Sequence, residues 1–188
     1  MRTGDGRSIE VRVATPADVP ALNALIPASV RALSRGYYTP EQIESAIRHV
    51  FGVDTQLVAD GTYFVACAGD AIAGCGGWSR RNTLFGGDQM KEGPDPLLDP
   101  ATEPARIRAF FVRPEFARRG VGSAIMDACM RAARAEGFRT LELAATLPGE
   151  PLYRAFGFEV REPLDTLLPD GVRIPFIRMS RALEGQVG

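Results

Sequence analysis

The segment Ala105–Glu136, ARIRAFFVRPEFARRGVGSAIMDACMRAARAE, runs from an apolar stretch (Ile107–Val112) through a proline and a basic glycine turn (Arg118–Ser123) into an Ala-rich amphipathic helix. A strand feeding a helix through such a turn predicts an anion site. The first four N–H groups of a helix lack internal acceptors, and the aligned peptide dipoles put about +0.5 charge there, so successive amides can converge on a phosphate. Gly120 and Gly122 let the backbone approach, because neither carries a Cβ. Spacing then narrows the ligand. A P-loop requires Lys followed by Ser or Thr after its last glycine, whereas Ser123 and Ala124 follow Gly122. A dinucleotide fingerprint requires a third glycine or alanine where Ile125 stands, and the acidic residue at the right distance, Glu142, lies between Leu141 and Leu143 in the next apolar run.

The rest of the chain has the composition of an ordinary globule. Its 188 residues, 45% hydrophobic and 24% charged, fit one domain with a substantial core. A formal net charge of −1 gives no support for a nucleic-acid or anionic-membrane partner, since both are held by clustered cations. No apolar run reaches the roughly 18 residues of a membrane span, and MRTGDGRSIE has no apolar signal core, so a cytoplasmic location is expected. The three cysteines, Cys67, Cys75 and Cys129, are odd in number and lack metal-ligand spacing. A hairpin turning at Gly69 and Asp70 sets Cys67 opposite Ile72 rather than Cys75, so all three read as small buried apolar residues and no metal is expected.

Local signals divide the chain further. Ile9–Val13 alternates as a strand, after which Thr15, Pro16 and Asp18 start a helix whose apolar face holds Val19, Leu22, Leu25 and Ile26. Thr39-Pro40-Glu41-Gln42 is a full capping box for a second helix reaching about Phe51. Tyr63–Ala68 and Ala71–Trp78 predict a hairpin. Residues 82–104 have no sustained period and form an unusually long loop, either a flexible insertion or a wall of a binding site. That loop carries Asp88, Glu92, Asp95, Asp99 and Glu103 against Lys91 alone, an imbalance that favours a cationic ligand such as an amine. The helix Gly122–Glu136 is expected to turn Ile125, Ala128, Cys129, Ala132 and Ala135 inward and to stop at Gly137. A strand (Thr140–Ala145), a short helix (Leu152–Phe156) and two strands turning at Pro169-Asp170-Gly171 complete the reading, with no internal repeat. Residues 9–183 are expected to be one domain between flexible segments 1–8 and 184–188.

Two windows together resemble the GNAT superfamily of acyl-CoA-dependent N-acetyltransferases. Ala117-Arg118-Arg119-Gly120-Val121-Gly122 matches that family's Q/R-x-x-G-x-G/A phosphate motif, with Ala in place of the first Gln or Arg. About 30 residues on, Pro151-Leu152-Tyr153-Arg154-Ala155-Phe156-Gly157-Phe158 is similar to its L-Y-x-x-x-G-F signature, and Val11–Asp18 resembles its opening strand and helix start. The resemblance implies an α/β (α+β) fold: a mixed, mostly antiparallel sheet with helices on both faces, in the order β-α-α-β-β-β-α-β-α-β-β, and splayed central strands. It implies acetyl-CoA as co-substrate, without a metal. The pantetheine arm would pair with the backbone of Phe110, Phe111 and Val112, and the pyrophosphate would lie on Ala117, Arg118, Arg119, Gly120, Val121, Gly122 and Ser123.

The implied reaction is direct attack of a primary amine on the thioester, with Tyr153 hydrogen-bonding the departing sulfur. Relatives that use a glutamate base carry it where this chain has Arg106; Glu103, Glu142, His49 and a water relay are the other candidates. Tyr37, Tyr38, Trp78 and Arg80, with Phe176, are candidates for the acceptor pocket. The expected acceptor is a small-molecule amine ahead of a protein, and whether the chain forms a homodimer is left open. Arg106 in place of an acid supports the alternative, a non-catalytic acyl-CoA-binding sensor. An ATP- or NAD-binding α/β protein is a further rival.

Overall fold

The computed structural model describes residues 8–183. The expected terminal segments, apart from Ser8, lie outside that range. Strand β1 (Ile9–Val13) leads to α1 (Val19–Leu33) through a single 3-10 turn at Pro16–Asp18. The Asp18 carboxylate accepts the Thr15 N–H at 2.7 Å, which is the cap read from the sequence. Helix α2 (Pro40–His49) starts at the expected capping box: Gln42 N–H donates to Thr39 Oγ1 at 3.2 Å, and Thr39 N–H to Gln42 Oε1 at 3.0 Å. A short helix not anticipated, α3 (Thr55–Ala59), follows; Asp54 caps it by accepting the N–H groups of Gln56 and Leu57. At five residues it is too short to leave a helical period in the sequence.

Strands β2 (Tyr63–Ala68) and β3 (Ala71–Ser79) form the hairpin, with Cys67 opposite Ile72 and Cys75 opposite Val65. Then come β4 (Ala105–Val112), α4 (Val121–Ala135), β5 (Thr140–Ala145), α5 (Glu150–Ala155), β6 (Glu159–Leu167) and β7 (Arg173–Ala182). They form one seven-stranded sheet in the order β1-β2-β3-β4-β5-β7-β6, antiparallel except between β4 and β5. One core packs α1, α2 and α3 on one face, and the other packs α4 and α5 on the opposite face. Along α4 the inward stripe is Ile125, Met126, Ala128, Cys129, Met130 and Ala133; Ala135 is exposed, contrary to the expected face. At about 100° per residue, fifteen residues carry a stripe drawn from Ile125 off the sheet before Ala135.

Two irregularities open the middle of the sheet. The parallel pair β4–β5 is joined only at Ala105↔Leu141 and Arg106↔Glu142, although both strands continue beyond those positions. In addition, β4 carries a bulge: the β3 register shifts between Cys75↔Phe111 and Gly77↔Arg108, and Ala109 adopts φ 55°. Left-handed backbone is rare for a residue with a Cβ, and here it is pinned, because the Tyr63 hydroxyl donates to Ala109 O at 3.0 Å. Opposite the bulge, a Cβ on Gly76 would stand 2.6 Å from the Phe110 ring, so this position in β3 requires glycine.

Residues 82–104 are tied down rather than free. Asn82 N–H bonds Pro96 O at 3.0 Å, Leu98 N–H bonds Arg80 O at 2.8 Å, and Leu98 is buried. The loop's acids serve its own structure. Asp88 accepts the Thr55 N–H, Asp95 that of Thr83, Asp99 that of Ala101, and Glu103 that of Asp99. These contacts occupy four of the five carboxylates whose excess had suggested a cationic ligand.

Candidate active site

Beyond Arg106 and Glu142 the two central strands separate, and a cleft of about 560 Å³, open mouth included, lies against the gap. Its walls come from Ile107–Phe111 of β4, Ala144 and Thr146 at the end of β5, Tyr153 of α5, Phe176 of β7, the α2–α3 connection (Val50, Phe51, Gly52) and the loop Leu84–Gly87. Four aromatic rings line its apolar side. Phe51 meets Phe111 and Phe176 edge-on at centroid distances of 5.8 and 6.1 Å, and Phe85 lies 5.1 Å from Phe176.

At one end of the cleft the Tyr153 ring is held edge-on by Phe110 and Phe158 at 6.2 and 5.9 Å. Burial, with the Cys129 thiol of α4 close by, raises its pKa well above the ordinary phenol value. A neutral phenol in the wall of a cleft is a donor that a developing anion can use.

The turn before α4 has the form an anion site needs. Arg118 and Gly120 both have positive φ, 62° and 81°, and the first helical bond is Ala124 N–H to Gly120 O at 2.9 Å. The N–H groups of Val121, Gly122 and Ser123 therefore precede the hydrogen-bonded part of the helix, and no described backbone carbonyl takes them. On β4, the three residues expected to pair with a ligand backbone differ. Val112 N–H already donates to Ser29 Oγ at 3.2 Å, and Phe110 and Phe111 line the cleft.

None of the proposed bases faces the cleft. Glu142 is held between Arg106 and Arg178, the latter at 2.7 Å, and Arg178 continues to Glu162 at 2.9 Å. Arg106 also donates to Asn82, and burial lowers its pKa. This network clasps β4, β5 and β7 where the gap begins. Glu103 bonds within its loop, and His49 lies 3.3 Å from Asp170 at the β6–β7 turn. The ionisable groups that do line the cleft are Tyr153 and Arg108.

The four acceptor-pocket candidates lie elsewhere. Tyr37 is exposed. Tyr38 is buried and bridges two backbones, donating to Pro175 O at 2.8 Å and accepting from Leu147 N–H at 2.9 Å, with its pKa pushed up to about 12 by burial. Trp78 packs on Phe138 in the α4-side core, and Arg80 lies over its ring while pairing with Glu136 at 3.0 Å. Phe176 does reach the cleft. The wall residues missed from the sequence, Phe51, Phe85 and Arg108, carry no motif; Arg108 reads simply as part of a strand. Among the described residues, no group of three or more His, Cys, Asp or Glu is placed to hold a metal, and no helix is long and apolar enough to cross a membrane.

Comparison with known proteins agrees with this architecture. The sequence profile of the acetyltransferase (GNAT) family matches residues 28–158, more than half of the chain. The chain belongs to that family and is an N-acetyltransferase. Among solved structures, a GCN5-related N-acetyltransferase from Rhodopseudomonas palustris superposes with a TM-score of 0.70 at 20% identity, over 97% of this chain and 98% of the other. The PaiA N-acetyltransferase of Thermoplasma acidophilum, in complex with coenzyme A, gives 0.63 at 15% identity over 93% and 99%. The ribosomal-protein-S18-alanine N-acetyltransferase of Escherichia coli gives 0.59 at 15% over 96% and 99%. No curated protein sequence matches the chain.

Proposed function

We propose that this enzyme transfers an acetyl group from acetyl-CoA to the primary amine of a small molecule by direct attack in a ternary complex. The observation that carries the reading is the separation of β4 from β5 beyond Arg106 and Glu142, with Tyr153 in the wall of the resulting cleft. The pantetheine arm lies between the strands against Phe110, Phe111 and Val112, and displaces Ser29 from the Val112 amide. The pyrophosphate rests on the turn from Ala117 to Ser123, where Arg118 and Arg119 add positive charge beside the amides of Val121, Gly122 and Ser123.

In the reaction the amine lone pair attacks the thioester carbonyl carbon, the C–S bond of the tetrahedral intermediate breaks, and the electron pair leaves on sulfur. Tyr153 donates a hydrogen bond to that thiolate and keeps its own proton. With ordinary values of about 10 for a phenol and 8.5 for a thiol, full transfer is already uphill by about 2 kcal/mol, and burial of Tyr153 moves it further in that direction. The amine's proton leaves through water, since no carboxylate or imidazole lines the cleft. A small acceptor is favoured because Leu84–Gly87 and Val50–Gly52 wall the cleft.

The test is release of free CoA thiol from acetyl-CoA across a panel of small primary amines, run beside N-terminal peptides. Turnover of small amines is expected. Turnover of peptides alone would replace the acceptor class, and a blank panel with tight CoA binding would favour a sensor.

A further inference from the structure

We infer that Arg108 selects the acceptor, and that the acceptor is an amino acid with an apolar side chain, its carboxylate received by Arg108 and its side chain by the aromatic wall. The inference rests on the acetyl-transfer reading above and specifies the substrate class of that site.

Three observations converge on it. First, Arg108 is the cation of the cleft, with its side chain 1% exposed, and no carboxylate lines the same walls. Second, its guanidinium is only partly satisfied. It donates from Nη2 to Asp54 Oδ2 at 2.8 Å and to Gly86 O at 2.6 Å, and from Nη1 to Thr83 O at 2.9 Å. Of its five N–H donors, the Nε–H and one on Nη1 remain, and Nε is buried without a hydrogen-bond partner. Third, the carboxylate it pairs with directly is shared. Asp54 also pairs with Lys91 and caps α3, so two cations and two helix amides draw on one buried carboxylate. Asp88, the other acid near Lys91 at 3.6 Å, is about half exposed and screened by water. A ligand carboxylate supplies the acceptor that the Nε–H lacks.

The aromatic part of the lining, Phe51, Phe85, Phe111 and Phe176, offers nothing polar beyond its backbone and suits an aliphatic or aromatic side chain. A simple alkylammonium ion meets the wrong charge here. An α-amino acid does not, because its carboxylate offsets the guanidinium while its amine points away toward the thioester.

The experiment compares matched pairs on the intact protein: phenylalanine with phenethylamine, and leucine with 3-methylbutylamine, by thiol release from acetyl-CoA. The amino acids are expected to show kcat/KM higher by about tenfold or more, the size of a charge-assisted hydrogen bond. Arg108→Lys should raise KM for the amino acids by a larger factor than for the matched amines, whereas a purely structural arginine would shift both alike. If that variant does not fold, the ratio in the unaltered protein decides. Amines used as well as or better than their amino acids overturn the inference and leave the acetyl-transfer reading intact. If neither member of either pair reacts while other amines do, the substrate class alone is wrong. If no amine reacts although acetyl-CoA binds, both readings fall.

Discussion

The Tyr63 hydroxyl donates to the carbonyl of Ala109 across 3.0 Å, and so a fully buried residue of β2 fixes a left-handed kink two strands away. The kink matters because it sets the direction of the β4 backbone where the sheet opens. Tyr63→Phe leaves the Ala109 carbonyl without its donor in a buried place, at a cost of about 1–3 kcal/mol. Chemical denaturation should register that loss, and the KM for acetyl-CoA should rise as the edge of β4 loosens. An unchanged KM would detach the bulge from cofactor binding.

Tyr153→Phe removes one hydroxyl and keeps the ring between Phe110 and Phe158. Loss of a single donor to a developing anion typically lowers kcat by roughly 10²-fold, and CoA affinity should be unaltered. Because burial holds the phenol neutral throughout the accessible range, no limb of the pH–rate profile below pH 10 should disappear with it.

Ser29→Ala frees the Val112 amide that the cofactor is proposed to use. The ligand-free variant should melt lower than the parent, since an amide loses its acceptor, and the rise in Tm on adding CoA should be larger. Equal CoA-induced shifts would place the pantetheine elsewhere.

The Arg106–Glu142–Arg178 clasp should behave as a structural element. Removing one partner of a buried ion pair costs about 3–5 kcal/mol, because the other charge is stranded. Glu142→Gln is therefore expected to lower Tm sharply while kcat, measured where the variant is folded, keeps its pH dependence. Loss of a kinetic pKa in that variant would restore Glu142 as a base.

Acid should weaken the start of α1. Asp18 is held by Arg12 at 2.8 and 2.9 Å and by the Thr15 N–H, and the guanidinium keeps its carboxyl below the usual carboxylate range. A depressed folded pKa gives stability that is present above the unfolded value, about 3.9, and is lost as pH falls toward the folded one. Melting curves of the parent and Asp18→Asn should differ at pH 7, begin to approach each other below about pH 4, and draw together only well below pH 3.

Short-range rules carried a large share of the reading, because they depend on neighbours in the chain. Thr39 and Gln42 make a capping box wherever the helix docks, Gly120 permits its left-handed turn in any context, and the Gly69–Asp70 turn sets Cys67 opposite Ile72. The composition of loop 82–104 misled for the same reason: an acidic excess says nothing of where each carboxylate points, and Asp88, Asp95, Asp99 and Glu103 turned to nearby amides.

What the sequence by itself determined was the order of the strands and the longer helices, the caps of α1 and α2, the left-handed glycine turn before α4 and the aromatic-flanked Tyr153 window, all encoded within a few residues. Only the tertiary structure decided the aromatic end of the cleft. Phe51, Phe85, Arg108 and Phe176 come from four segments up to 125 positions apart, and they meet because β4 and β5 part after a single clasp. Arg108 shows the difference most clearly. In the chain it is one more residue of a strand, and its partly unmet guanidinium exists only once Asp54, Thr83 and Gly86 have closed around it.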